Sequence, residues 1–227
     1  MLYETICKRR SVRQYEDSLI DEDILDKIKN KLNSITRLEG TNAVYEIVDK
    51  EKIKNNRFPY AVFAYAENND LEKIGIGYVL EELDLYIQSI GLGSLWAGMG
   101  QPLEKDAKFR IMLGFGKTNV PYRNGVADFK RKPIKKLSNT DNDVTRVARL
   151  SPSAVNFQPW FIDMKDSEIV ITPNVKPFIK LLVGKIVQYD LGIVTKIVEI
   201  ASNHEGKQVK NINVNLSDKS IKITLLI

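Results

Sequence analysis

Residues 150–160 read LSPSAVNFQPW, and residues 8–15 read KRRSVRQY. The first string sets small residues, one amide and an aromatic-proline end between charged segments. Small side chains let backbone approach a flat ligand, and Asn156 offers both a donor and an acceptor to a heterocycle edge. Pro152 and Ser153 fall where a helical stretch carrying Arg146 and Arg149 must stop. A capped helix and a turn, with Trp160 filling core, explain Pro159 and Trp160 but not the Ser-Ala-x-Asn pattern. The second string gathers Arg9, Arg10 and Arg13 around Ser11. Forked, permanently charged donors suit a phosphate dianion. The plain alternative is an exposed basic end of an N-terminal helix.

The two strings lie in opposite halves of the chain, and the halves resemble each other. Set beside FAYAENNDLEKIGIGYVLEELDLYIQSIGLG, the stretch KLLVGKIVQYDLGIVTKIVEIASNHEGK places Gly192 on Gly77 and Gly206 on Gly91, both at a separation of 115 residues. The same shift carries Tyr45 to Trp160 and Ile47 to Ile162. KFRIMLGFGK pairs with DKSIKITLLI at a shift of 110, which requires a five-residue gap. A fixed internal separation is the mark of a duplicated unit. The expected organisation is therefore two diverged α/β copies, residues 1–120 and 121–227, joined through a basic connector spanning 117–136.

Local patterns fill in each copy. Residues 21–32 carry Ile24, Leu25, Ile28 and Leu32 at helical spacing, with Asp21 as the cap. Residues 45–48 and 60–65 (YAVFAY) are expected strands. Residues 71–90 form a long helix, apolar around much of its circumference and stopped by Gly91. GLGSLWAGMG, 91–100, is expected to be a flexible loop exposing its backbone, and FRIMLGFG, 109–116, another strand.

Composition excludes several classes. In 227 residues there is one cysteine, Cys7, and one histidine, His204, so an intrachain disulfide, a cysteine cluster and a polyhistidine metal site are ruled out. Cys7 is expected to be a structural thiol and His204 a surface residue near a helix end. The N-terminus has no apolar leader segment. The most apolar stretch, 179–200, is interrupted by Lys185, Asp190 and Lys196, which disqualifies it as a membrane span. A cytoplasmic location is expected. The formal charge of +5 comes from scattered lysines without interleaved aromatics, so neither a nucleic-acid nor a membrane partner is expected. GFGKT lacks the glycine that a phosphate loop needs at Ile111, and GLGSLWAG follows a helix, which defeats a dinucleotide fingerprint. The sequon at Asn215 carries no meaning without secretion.

RRSVR, PSAVNFQPW, the Gly-Leu-Gly-Ser-Leu-Trp turn after a long central helix, and the later KRKP together resemble the FMN-dependent nitroreductase family over most of the chain. That resemblance implies an α+β fold with mainly antiparallel sheets, FMN bound at a subunit interface, and hydride passing from NADH or NADPH through FMN to a nitroaromatic, quinone or similar small-molecule acceptor. It also implies roles. Arg9, Arg10, Ser11 and Arg13 grip the phosphate and ribityl chain; Pro152, Ser153, Ala154 and Asn156 cover the isoalloxazine from the other half. Backbone amides of Trp96, Ala97 and Gly98, continuing to Gly100, lie near flavin N5 and O4. Arg131, with Lys130 or Lys132, is the basic tail that reaches the phosphate or ribityl region. No side-chain nucleophile is required.

One departure is informative. In the family the PSAxNxQPW string follows RRSxR within one repeat, whereas here that place holds ITRLEGTNAVYEIV. The second half has the string but only FKRKPIKKL in place of RRSxR. Complementary losses imply a monomer that imitates the family's homodimer and builds one complete site. The alternative is a non-catalytic, degenerate FMN or nucleotide binder.

Overall fold

A computed structural model describes residues 1–176, 186–217 and 220–227. Strands β1 (Val44–Asp49), β2 (Tyr60–Tyr65), β3 (Gly93–Ala97) and β4 (Phe109–Gly116) form an antiparallel sheet in the order β1-β2-β4-β3. Strands β5 (Trp160–Met164), β6 (Glu168–Pro173), β7 (Asn211–Ser217) and β8 (Ser220–Leu226) form a second, in the order β5-β6-β8-β7. The two orders are the same, as a duplicated unit requires. Helices α1 (Leu2–Ile6), α2 (Glu22–Ser34), α3 (Asp70–Ser89), α4 (Asp143–Ala148) and α5 (Val187–His204) flank the sheets, which makes the fold α+β.

YAVFAY in β2 is apolar at every position because both faces are covered. Tyr60, Val62 and Ala64 join a large core that also contains Ile171 and Ile223 of the second sheet. Ala61 and Phe63 face a smaller cluster with Phe58, Leu95 and Met112. Residue 120 thus separates the two sheets, but it does not separate two cores.

The long helices α3 and α5 make the central contact. Asn69 caps α3 by accepting from the Glu72 N–H at 2.9 Å, and Gly91, at φ +90°, closes it in the left-handed conformation. A Cβ on Gly77 would stand 2.2 Å from the Tyr189 carbonyl oxygen, and one on Gly192 would stand 2.0 Å from that of Ile74. Only glycine fits at either place. The 115-residue shift carries Ile74 to Tyr189 as well as Gly77 to Gly192, so each contact is the counterpart of the other. A self-complementary pair of this kind is the form of a twofold dimer interface, here made within one chain.

Three expectations need correction or restriction. Residues 93–97 are strand β3, not a flexible loop: Ser94, Leu95 and Ala97 are buried, and the strand pairs with β4 from Gly93↔Gly116 to Ala97↔Met112. Gly93 there serves close approach instead of flexibility, since a Cβ would meet Val12 and Thr118. Asp21 is the residue before α2, yet its side chain makes no cap bond and pairs with Lys117 at 3.2 Å. Of the apolar stretch 179–200, residues 179–185 lie outside those described, as do 218 and 219 of the last repeat match. Among the described residues no helix is long and apolar enough to cross a membrane.

Candidate functional site

The first string is laid along the first sheet. After α1 ends, Ser11 bridges to Ser94 of β3, and the Val12 N–H donates to the Ser94 carbonyl at 2.9 Å. Gly93 leaves room for this, since a Cβ there would meet Val12 Cγ1 at 2.8 Å. The Arg10 N–H donates to Gln88 Oε1 at 3.0 Å. Arg10 and Arg13 turn outward. Arg9 turns inward, 1% exposed, with its Nε 2.9 Å from Asp84 Oδ2. Gln88 and Ser94 also donate to Asp84, forming a polar knot beneath β3. The grouping of Arg9 with the outward residues is therefore corrected: its ion pair with Asp84 holds the Arg9 guanidinium on the buried side.

The second string follows α4, whose Asn142 and Thr145 form a reciprocal capping box. It then adopts an uncommon backbone. Val155, Asn156 and Gln158 have φ of 47°, 58° and 47°. Positive φ is costly for any side chain, most of all a β-branched one. Hydrogen bonds from several directions hold the segment there. Arg131 Nη1 donates to Asn156 Oδ1 at 2.6 Å, and Asn156 Nδ2 donates to the Lys130 carbonyl at 2.8 Å. The Lys132 N–H donates to Gln158 Oε1 at 2.7 Å, while Gln158 Nε2 donates to the Arg149 carbonyl at 2.9 Å. Inside the segment, Ser153 Oγ accepts from the Gln158 N–H at 2.9 Å. KRK, 130–132, is thus a clasp on the segment.

These parts enclose two joined clefts. One, of about 620 Å³, is lined by Arg10, Ser11, Arg13, Arg123, Lys130, Arg131 and Asn156 together with Tyr122; among the described residues its one acidic lining residue is Asp128. The other, of about 810 Å³, is lined by Trp96, Ala97, Gly98, Pro152, Ser153 and Ala154, with Phe58, Leu95, Ile193 and Tyr189. Ser11 and Arg13 line both. Of the residues singled out in the sequence, only Arg9 and Lys132 line neither. Lys132 is turned to Phe157, its Nζ 4.5 Å from the ring centroid.

The smaller cleft is short of negative charge. Burial, followed by the charges of Arg9, Arg123 and Arg149, pushes Arg131 down to about 10. Burial, then Arg9 and Arg10, lowers Arg123 as well. Arg131 Nε is buried without a partner. Under the larger cleft, Trp96 Nε1 donates to Glu81 Oε2 at 3.1 Å. Burial and the neighbouring Asp84 hold the Glu81 carboxyl well above the usual range. No group of residues able to hold a metal occurs among those described.

Sequence reasoning missed several lining residues. Tyr122 and Arg123 lie in the connector, and Lys54 and Arg57 in an irregular segment before β2, with no pattern to single them out. Asp190 also lines the larger cleft. Its signal was present: an acid at the start of an apolar helix, which sequence reading used only against a membrane span.

The chain belongs to the family described as "Putative TM nitroreductase", whose model matches residues 1–202. Among solved structures, that of a "putative nitroreductase" from Thermotoga maritima MSB8 is 21% identical, covers 99% of this chain and 93% of its own, and superposes with a TM-score of 0.74. That protein shares the two-sheet fold over the whole length. An FMN-dependent nitroreductase from Clostridium difficile R20291 is 21% identical, covers 61% of this chain and 98% of its own, and gives a TM-score of 0.48. No curated protein matches the chain.

Proposed function

We propose that this chain is an FMN-dependent oxidoreductase that passes hydride from NADH or NADPH to a nitroaromatic, quinone or similar small-molecule acceptor. One observation carries the reading. A cationic cleft with an unpartnered buried guanidinium nitrogen opens directly into an apolar cleft, and the two share Ser11 and Arg13. FMN has the matching halves, a phosphate dianion and a flat tricyclic ring, so the residues present fit it. Arg10, Ser11, Arg13 and Arg131 would hold the phosphate and ribityl chain. Trp96, Ala97 and Gly98 would border the ring, with Pro152, Ser153 and Ala154 covering it and Asn156 oriented by Arg131. When bound, FMN supplies two-electron hydride chemistry at its ring.

The chain's own groups do the rest. Arg13, which lines both clefts, favours negative charge near the ring. The strained segment 155–158 is held in one conformation before ligand arrives, which lowers the entropy cost of binding. Apolar walls exclude water. Both halves contribute lining residues, so one chain makes one site and a monomer suffices. Neither nucleic acid nor a membrane enters the proposal.

The test is anaerobic titration of FMN-loaded protein with NADH and NADPH. Bleaching of the flavin band, restored by a quinone or nitroaromatic, is the expected result. Flavin that binds but resists both reductants refutes the enzyme and leaves a flavin binder; protein that takes up no FMN refutes both.

A further inference from the structure

Asp190 is 4% exposed and belongs to the lining of the larger cleft. Its Oδ1 accepts from the Ala154 N–H at 3.0 Å, in the middle of the SPSAVN segment. Its Oδ2 has no partner among the described residues. Among the described residues no cation pairs with it. Arg13, Lys54 and Arg57 line other walls of the same cleft, and Tyr189 is its neighbour on α5. Several charged groups of the elements packed on α5 are engaged elsewhere. Arg146 pairs with Asp141 and Asp143, and Arg149 donates to the Lys132 carbonyl. On α3, Glu82 pairs with Lys196 and Lys31, Asp84 pairs with Arg9, and Glu81 accepts from Trp96. On α1, Glu4 pairs with the N-terminal amine, and on β6 Glu168 pairs with Lys165.

A buried carboxyl with one hydrogen bond and no cation is expensive to ionise. Burial raises Asp190 to about 7, opposed only by the Ala154 N–H. Near neutral pH it is therefore able both to give and to regain a proton, the condition for an efficient general acid.

We propose that Asp190 is the proton donor to the electron acceptor reduced in this cleft. This rests on the oxidoreductase reading above. With a quinone, bound FMN would supply the hydride, with its two electrons, to one carbonyl oxygen, while the Asp190 O–H bond breaks as an O–H bond forms on the other oxygen. The products are the hydroquinone and the Asp190 carboxylate. The Ala154 N–H stabilises that carboxylate until water returns a proton.

Two measurements test the assignment. The first needs no cofactor: the carboxyl ¹³C resonance of Asp190, identified by its loss in Asp190→Asn, is followed against pH in cofactor-free protein. A midpoint near 7 is expected, and one in the ordinary carboxylate range overturns the proposal whether or not FMN binds. The second uses FMN-loaded wild type and Asp190→Asn, with the two half-reactions timed separately by stopped flow. Reduction by NADH should stay within a few-fold. Oxidation by benzoquinone should fall by the ~10²-fold or more typical of a lost general acid, and lose its pH dependence near neutrality. Equal loss in both half-reactions marks a structural role and overturns the proposal, as does unchanged oxidation. Failure of the wild type to bind FMN sinks the oxidoreductase reading and the donor assignment together. Normal flavin reduction with an unaffected oxidative step sinks the assignment alone.

Discussion

Replacing Gly192 with alanine puts a methyl group where the backbone of α3 already stands. The new Cβ would lie 2.0 Å from the Ile74 carbonyl oxygen and 2.7 Å from the Tyr78 nitrogen. Ordinary contact begins near 3.4 Å, so the helices must part by about 1.4 Å at that point (3.4 less 2.0). Both neighbours are main chain, and no rotamer change relieves the clash. Overpacking costs about 1–3 kcal/mol, and a contact with no soft partner belongs at the top of that range. At about 2–4 °C per kcal/mol for a chain of this size, the melting temperature should fall by roughly 6–12 °C. Gly77→Ala, whose Cβ would stand 2.2 Å from the Tyr189 oxygen, should behave alike. The double variant should cost less than the sum, since helices parted by one methyl admit the other. Gly125→Ala is the control: it has open space and an extended φ of 173°. Differential scanning calorimetry at one protein concentration reads all four. A Gly192→Ala melt within about 1 °C of wild type would refute the close crossing.

Other perturbations test other parts. Asp84→Asn leaves Arg9 buried without its carboxylate and should cost about 3–5 kcal/mol, visible as a melt lowered by roughly 10 °C; an unchanged melt contradicts the buried ion pair. Val155→Gly removes an 86% exposed side chain from φ 47°. It should be neutral or stabilising by about 1 kcal/mol while weakening FMN binding, because the segment loses its fixed conformation; a clear loss of stability in a denaturant titration would contradict the strain. Asp190 predicts a pH effect. Its carboxyl sits at about 7 when folded, above the ordinary 3.8. Its contribution to stability is therefore full below the ordinary value and lost as pH rises through 7. Asp190→Asn, which cannot ionise, should gain on wild type by roughly 2–3 kcal/mol between pH 5 and 8, and a difference that does not change with pH refutes the burial argument.

What was legible in the sequence follows from what a residue type can report alone. Gly77 and Gly192 were legible as a repeat because touching backbones exclude every other residue at both places. SPSAVN was legible because its small residues and amide answer no need of a core. Arg9 was not, since the same guanidinium serves a phosphate or a buried Asp84 and only the turn of the chain decides. Strand β3 was missed because GLGSLWAGMG has the composition of a loop, while Gly93 is there to let Val12 lie on it. Tyr122 and Arg123 reach the clefts through tertiary packing, which leaves no local periodicity.

The central claim is one composite site per chain, built from complementary strings of the two halves. Fluorescence titration of FMN into the purified wild-type protein, at concentrations that resolve stoichiometry, tests it most directly. The account predicts saturation at one FMN per chain, in a species whose scattering mass is that of a single chain. No binding, or two FMN per chain, would contradict it.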